Sequence, residues 1–128
     1  MPADVFYEWA GEKPRRQPYA IQTRDGAPFC FAGLWDAWRD PRAKKNAPWV
    51  ATCTLITTTP NALLAKIHDR MPVILPREAY EFWLDPDTPA AMAAEVLEPY
   101  PAEAMEAVPI TTYVNDPRHD DPGVLTPA

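Results

Sequence analysis

Cysteine and histidine are scarce in this sequence, with two residues of each in 128, and glycine is hardly commoner, with four. Cys30 and Cys53 form no CxxC motif and share no Cys/His spacing, which excludes a zinc-finger arrangement. Both lie in apolar, strand-like runs and are expected as reduced packing thiols, not a disulfide. Long hydrophobic runs are missing as well. No stretch approaches the roughly 20 residues of a membrane-spanning helix, so a soluble protein is expected. No basic-then-apolar amino-terminal segment with a small-residue cleavage site is present, and a cytoplasmic setting is expected.

What is present is proline and tryptophan, seventeen and five residues respectively. The prolines fall between apolar segments and punctuate the chain. A length of 128 residues fits one modest domain with a single core. The net charge of −6 hides an asymmetry. Residues 1–70 hold ten Lys/Arg against seven Asp/Glu, a balance of +3, while the rest holds two against eleven, a balance of −9. A basic surface on the first part could approach phosphates whatever the total charge, because binding responds to the local field. A solvated loop such as "RDPRAKKNAP" accounts for the same charges.

Strands are expected first. "ADVFYEWA", "QPYAIQTR", "PFCFAGLWDAW" and "WVATCTLITTT" are rich in β-branched and aromatic residues and are separated by Gly, Pro and charge clusters. They predict an α+β fold built on a mostly antiparallel curved sheet or partial barrel with short peripheral helices. "GEKPRRQ" reads as a hairpin loop and "RDGAP" as a turn on Asp25-Gly26. Thr59 and Pro60 predict a helix start, with Leu63, Leu64 and Ile67 on one face and an end near His68. "PREAYEFWL" and "DTPAAMAAEVLEPY" predict two further helices, the second capped at Thr88 and Pro89; "VPITTYV" returns to strand. Residues 115–128 have no periodicity and are expected as an extended carboxyl-terminal tail. Trp35, Trp38 and Trp49 could stack on bases, but core packing is the favoured reading.

Two titratable residues stand out by position. Alternation in "VFYEWA" puts Phe6 and Glu8 on one strand face and Tyr7 and Trp9 on the other. If the Glu8 face turns inward, desolvation raises its pKa and makes it a proton donor near neutral pH; the alternative is an edge-strand carboxylate in solvent. His68 sits where a helical turn ends, a position that favours the imidazolium by roughly 0.3 to 1 kcal/mol. It reads either as an acid–base group or as a helix cap. Arg70 offers a planar fork suited to phosphate, or a salt bridge to Asp69 or Asp4. His119 with Asp120 and Asp121 could ligate a metal, but no second ligand cluster accompanies them and no metal site is expected.

These residues do not name a substrate. However, "PADVFYEWAG", "PFCFAGLWDAW", "CTLITTTPNALLAKIHDRMPVILP", "FWLDP" and "YVNDPRHDDP" occur in this order. In that order and spacing the chain resembles the SRAP family, the SOS response-associated peptidases or abasic-site processing proteins, over nearly its whole length. The resemblance implies binding to single-stranded DNA and a covalent protein–DNA crosslink at abasic sites in the DNA damage response, with association to the nucleoid on damage. In that family an amino-terminal cysteine supplies the amine of a Schiff base and the thiol that closes a thiazolidine. The resemblance implies that the same cysteine releases a propeptide autocatalytically, hence the peptidase name, and that the DNA-crosslinking activity is of lyase type. Glu8 then matches a catalytic glutamate assisting sugar ring opening, His68 a catalytic acid–base histidine, and Arg70 a DNA-binding position. No small-molecule cofactor is implied.

The departures are as informative. The family pattern begins Met-Cys-Gly-Arg and continues through Asn-x-Arg-x-Glu, and neither occurs here; Val5 also stands where glycine usually precedes "FYEW". The chain is therefore expected as an amino-terminally truncated SRAP-like domain, 1–128, that lacks the nucleophile and several strands. Cys30 and Cys53 cannot substitute, because the thiazolidine needs a free amine and thiol on one residue. Exposed sheet edges are expected to cause low solubility or self-association. The alternative to a crosslinking enzyme is a noncatalytic single-stranded DNA binding or interaction module.

Overall fold

The computed structural model describes residues 1–42 and 46–128. Among these, the strands in chain order are β1 Pro2–Ala3, β2 Phe6–Ala10, β3 Gln17–Thr23, β4 Phe29–Phe31, β5 Gly33–Trp38, β6 Val50–Leu55, β7 Thr57–Thr58, β8 Met71–Pro72, β9 Ile74–Leu75 and β10 Met105–Pro109. Two short helices, α1 Tyr80–Leu84 and α2 Ala90–Ala93, follow β9. No helix among the described residues is long and apolar enough to cross a membrane.

Every strand pairing is antiparallel, and the strands form four small sheets ordered β1-β4-β9, β10-β3-β2, β5-β6 and β7-β8. The expected antiparallel α+β architecture is present, without a closed barrel. β3 is the centre of its sheet, paired on both sides, and its side chains are the most buried of the three strands. The turn leading from β3 to β4, where the chain passes to another sheet, is made at Gly26, whose φ of +68° an L side chain rarely adopts. Asp25 supports it by accepting the Ala27 N–H at 3.0 Å.

Three of the four sheets, β1-β4-β9, β5-β6 and β7-β8, share a junction made from three single residues. Ala32 separates β4 from β5, Ile56 separates β6 from β7, and Val73 separates β8 from β9. Ala32 N–H donates to Val73 O at 2.9 Å, Val73 N–H to Ile56 O at 2.9 Å, and Ile56 N–H to Ala32 O at 3.0 Å. This closed ring satisfies backbone groups at two fully buried residues, Ala32 and Val73. It also explains why the continuous apolar runs of the sequence break into short strands: each run changes sheet at the ring.

The main core gathers Ile21, Phe29, Phe31, Leu64, Met71, Ile74 and Met105. Phe6 from β2 meets Phe29 and Phe31 edge-on at 6.3 and 5.7 Å, locking the β2 sheet onto the β4 sheet. Each fully buried aliphatic side chain here contributes about 1.5 to 3 kcal/mol relative to exposure.

Several expectations are corrected. Cys30 and Cys53 are free thiols as expected, but Cys30 on β4 is only half-buried and Cys53 is exposed, because among the described residues β6 has no layer packed over it. For the same reason Trp35, Trp38 and Trp49 are exposed and do not fill the core. Thr59 caps nothing: Asn61 Oδ1 accepts the N–H groups of Leu63 and Leu64 at 3.1 and 3.0 Å, and only the turn Leu64–Lys66 follows. Thr88 does not cap α2 either, since its hydroxyl donates to Phe82 O at 2.9 Å. The strand expected over residues 108–114 ends at Pro109, and Thr112–Asn115 is a 3-10 turn. Beyond it, residues 115–128 double back, with His119 stacked on Tyr113 at 3.6 Å and Ile110 bridged to Pro127.

Candidate functional site

Glu8 lies on β2 opposite Tyr19 of β3. It shares a face with Phe6, one pleat further from the core, and is half-buried. Tyr7 and Trp9 occupy the opposite face with ring centroids 6.5 Å apart, and burial pushes the Tyr7 hydroxyl up. β2 is an edge strand of its sheet, and the half-buried carboxylate stands at the rim of the aromatic core without being enclosed by it.

His68 closes the turn begun by Asn61. Its N–H donates to Leu64 O at 2.8 Å, and Asn61 anchors the segment by donating from Nδ2 to Tyr100 O at 2.7 Å. Beyond the turn, His68 Nδ1 lies 3.1 Å from the Arg70 amide, which donates to it, and 3.0 Å from Asp69 Oδ1. The turn is only three residues long, so it carries little of the helix dipole anticipated for this position. Local contacts with Asp69 and Arg70 organise the ring instead. The Arg70 side chain is about two-thirds exposed and its Nε is 3.8 Å from Asp69 Oδ1, leaving most of the guanidinium fork open.

One loop therefore brings His68, Asp69 and Arg70 together. Among the described residues no hydrogen bond or ion pair joins Glu8 to His68. Their connection is through the core: Phe6, two residues before Glu8, and Ile67, the residue before His68, pack against the same cluster.

A second feature escaped the sequence reading. Trp9, Lys13, Pro14 and Arg16 of the β2–β3 hairpin face Val114, Asn115 and Pro117 across a groove of about 440 Å³. Trp9 Nε1 donates to Asn115 Oδ1 at 2.7 Å, fixing the indole across 106 positions of sequence. The neighbouring Asp116 carboxylate is held by Arg118 Nη2 at 2.6 Å, which partly offsets its charge. The signal was the run of Lys13, Arg15 and Arg16 beside Trp9; what sequence could not supply was the returning wall. A larger depression of about 700 Å³ carries Asp25, Glu78, Glu95 and Glu98 around Arg77. Its acidic rim disfavours an anionic ligand.

Among the described residues no group of three His, Cys, Asp or Glu is placed to hold a metal ion. His119 is engaged elsewhere, with Nδ1 donating to Tyr113 O at 2.7 Å.

Residues 1–117 match the family described as SOS response associated peptidase (SRAP). The abasic site processing protein YoqW of Bacillus subtilis is 40% identical over 127 residues, which covers 98% of this chain and 55% of the relative. The abasic site processing protein HMCES of Gallus gallus is 33% identical over 145 aligned positions, covering 98% of this chain and 42% of its own length. A crystal structure of a Bacteroides thetaiotaomicron protein superposes with a TM-score of 0.88 at 32% identity, over all of this chain and 55% of the other. The chain spans about half the length of the curated relatives it matches. By the extent of the family match and the identity to these relatives, it belongs to the SOS response associated peptidase (SRAP) family.

Proposed function

We propose that this chain engages single-stranded DNA carrying abasic sites and supplies the acid–base and phosphate-binding half of an SRAP site. The observation that carries the reading is the His68–Asp69–Arg70 loop, where an imidazole with an anionic neighbour sits beside an open guanidinium. The abasic-site names of the relatives support the substrate class. In this reading Arg70 holds a backbone phosphate, while Lys13 and Arg16 hold phosphates along the Trp9 groove. His68 moves a proton to or from the opened sugar, and Glu8 assists ring opening.

The covalent step needs an amine and a thiol on one residue. Cys30 and Cys53 lie within the chain and offer thiols without free amines. A thiazolidine therefore requires a nucleophile from outside these 128 residues.

Fluorescence anisotropy with labelled single strands, with and without an abasic site, tests the proposal across a salt series. Salt-dependent binding is expected, and the slope of log K against log salt should fall by about 0.7 in Arg70→Ala for one lost single-strand phosphate contact. Glu8→Gln and His68→Ala should leave binding to undamaged strands unchanged. A denaturing gel should show no adduct from this chain. Absence of binding at low salt, or an Arg70→Ala slope equal to wild type, overturns the reading.

A further inference from the structure

Tyr19 stands directly opposite Glu8 in the β2–β3 ladder. Residues paired in this way share a face, with Cβ atoms about 4.5 to 5.5 Å apart. The phenol and the carboxylate therefore rise side by side from the face that carries Phe6 and its partner Ile21. Ile21 is fully buried in the main core, and Phe6 packs against that core. The Glu8–Tyr19 pair lies one pleat outward from these two, where both residues are half-buried. The Tyr19 ring packs against the same cluster as Ile67, the residue before His68. Tyr19 thus shares a strand face with Glu8 and a core with the His68 segment.

Both polar ends are unused. Among the described residues neither the Tyr19 hydroxyl nor the Glu8 carboxylate makes a hydrogen bond or an ion pair. Among the same residues no buried side-chain nitrogen or oxygen lacks a partner. The unpartnered oxygens of Tyr19 and Glu8 are therefore open at the surface, although the side chains that carry them are half-buried. Tyr113 is different, because its hydroxyl is spent on Asp121 Oδ2 at 3.0 Å. A ring fixed by packing, with a free hydroxyl beside a free carboxylate, presents a donor and an acceptor at a preset spacing.

We infer that Tyr19 is a further substrate-contacting residue: its hydroxyl donates to the oxygen of the C1′ hydroxyl of an abasic sugar, and Glu8 accepts the hydrogen of that hydroxyl. This contact rests on the proposed placement of Glu8 at the abasic sugar, and it adds a means of recognising the lesion. A hydroxyl is donor and acceptor at once, so a single one satisfies both the phenol and the carboxylate. An intact nucleotide carries its base on C1′ and has no hydroxyl there. The pair therefore selects for damage, whereas Arg70, Lys13 and Arg16 meet phosphates that every strand carries. Packing already holds the Tyr19 ring, so binding costs it little side-chain freedom.

Fluorescence anisotropy compares three labelled single strands that differ at one position: an intact nucleotide, a natural abasic site, and a tetrahydrofuran analogue that lacks the C1′ hydroxyl. The 128-residue chain is expected to prefer the natural site to the analogue. Tyr19→Phe keeps the packed ring and should reduce that preference by about 2- to 10-fold, the worth of one hydrogen bond, with the intact strand and the analogue as references. Glu8→Ala should reduce the same preference, and the double variant should lose less than the sum, because both bonds go to one hydroxyl. Tyr7→Phe, on the opposite face of β2, should keep the full preference. Equal urea midpoints for Tyr19→Phe and wild type would show that the fold is intact. Binding of intact strands through Arg70 with no preference for the natural site over the analogue, a preference that survives Tyr19→Phe, or an equal loss on all three strands would each overturn the inference and leave the phosphate contacts standing. Absence of binding to any strand would overturn both.

Discussion

His68 Nδ1 receives the Arg70 backbone N–H at 3.1 Å while standing 3.0 Å from Asp69 Oδ1, so one ring nitrogen faces a donor and an acceptor. It can satisfy only one of them at a time. With the proton on Nε2, Nδ1 accepts from Arg70; with Nδ1 protonated, it donates to Asp69. Asp69→Ala removes the acceptor and should leave Nδ1 as the bare, accepting nitrogen. Imidazole ¹⁵N shifts at neutral pH are expected to report an Nε2–H ring in that variant and a greater share of Nδ1–H in the wild type. Identical shifts in the two proteins would remove Asp69 from the control of this ring.

Asn61 positions the same loop from the other end. Its side chain accepts two backbone N–H groups and donates to Tyr100 O, joining the turn before His68 to a segment 39 residues away. Asn61→Ala deletes the cap and leaves the Tyr100 carbonyl without this donor. A loss of about 1 to 3 kcal/mol is expected in urea unfolding. Asn61→Asp keeps the two accepted bonds but cannot donate to Tyr100, so it should recover part of the loss.

Sequence reached the fold class and the local order of elements, because alternation in "FYEWA" and "QPYAIQT" is a local property and both segments are strands. The amphipathic pattern of residues 76–84 likewise locates the 3-10 turn and α1. The failures share a physical cause: each concerns a layer that only three dimensions can reveal. Trp35, Trp38 and Cys53 have core composition but no neighbour in the described structure to bury them. Thr59 and Thr88 have capping chemistry, but Asn61 and the Phe82 carbonyl compete successfully for the relevant bonds. The ring through Ala32, Ile56 and Val73 has no local signature, since its members are 24 and 17 positions apart along the chain. At the candidate site, the adjacency of His68 and Arg70 was legible, whereas the groove of Trp9 depended on Asn115 returning from a distant part of the sequence.

That groove makes a separate prediction. If Lys13 and Arg16 hold phosphates, Lys13→Ala and Arg16→Ala should each weaken binding to single strands of any sequence and lower the salt slope by about 0.7. Trp9→Phe removes the indole N–H that Asn115 accepts and should weaken binding through loss of groove geometry, with the slope unchanged. Anisotropy titrations at several salt concentrations separate these outcomes. Equal slopes in all three variants would place the strand elsewhere.

Asp116 provides a pH-dependent contact beside the groove. Arg118 donates to it from Nε at 2.9 Å and from Nη2 at 2.6 Å, and the Arg118 backbone N–H adds a bond at 3.0 Å. The fork, followed by the backbone donor, lowers the carboxyl pKa from 3.8 to about 2. Because the folded value lies below the unfolded one, the contribution to stability is complete above about pH 4 and is lost as pH falls through about 2. The contact is exposed, so added salt should diminish it. Carboxyl ¹³C titration should give an Asp116 midpoint near 2 in the wild type, rising towards 3.8 in Arg118→Ala and at high salt. A midpoint that ignores both changes would show that the guanidinium does not hold this carboxylate in solution.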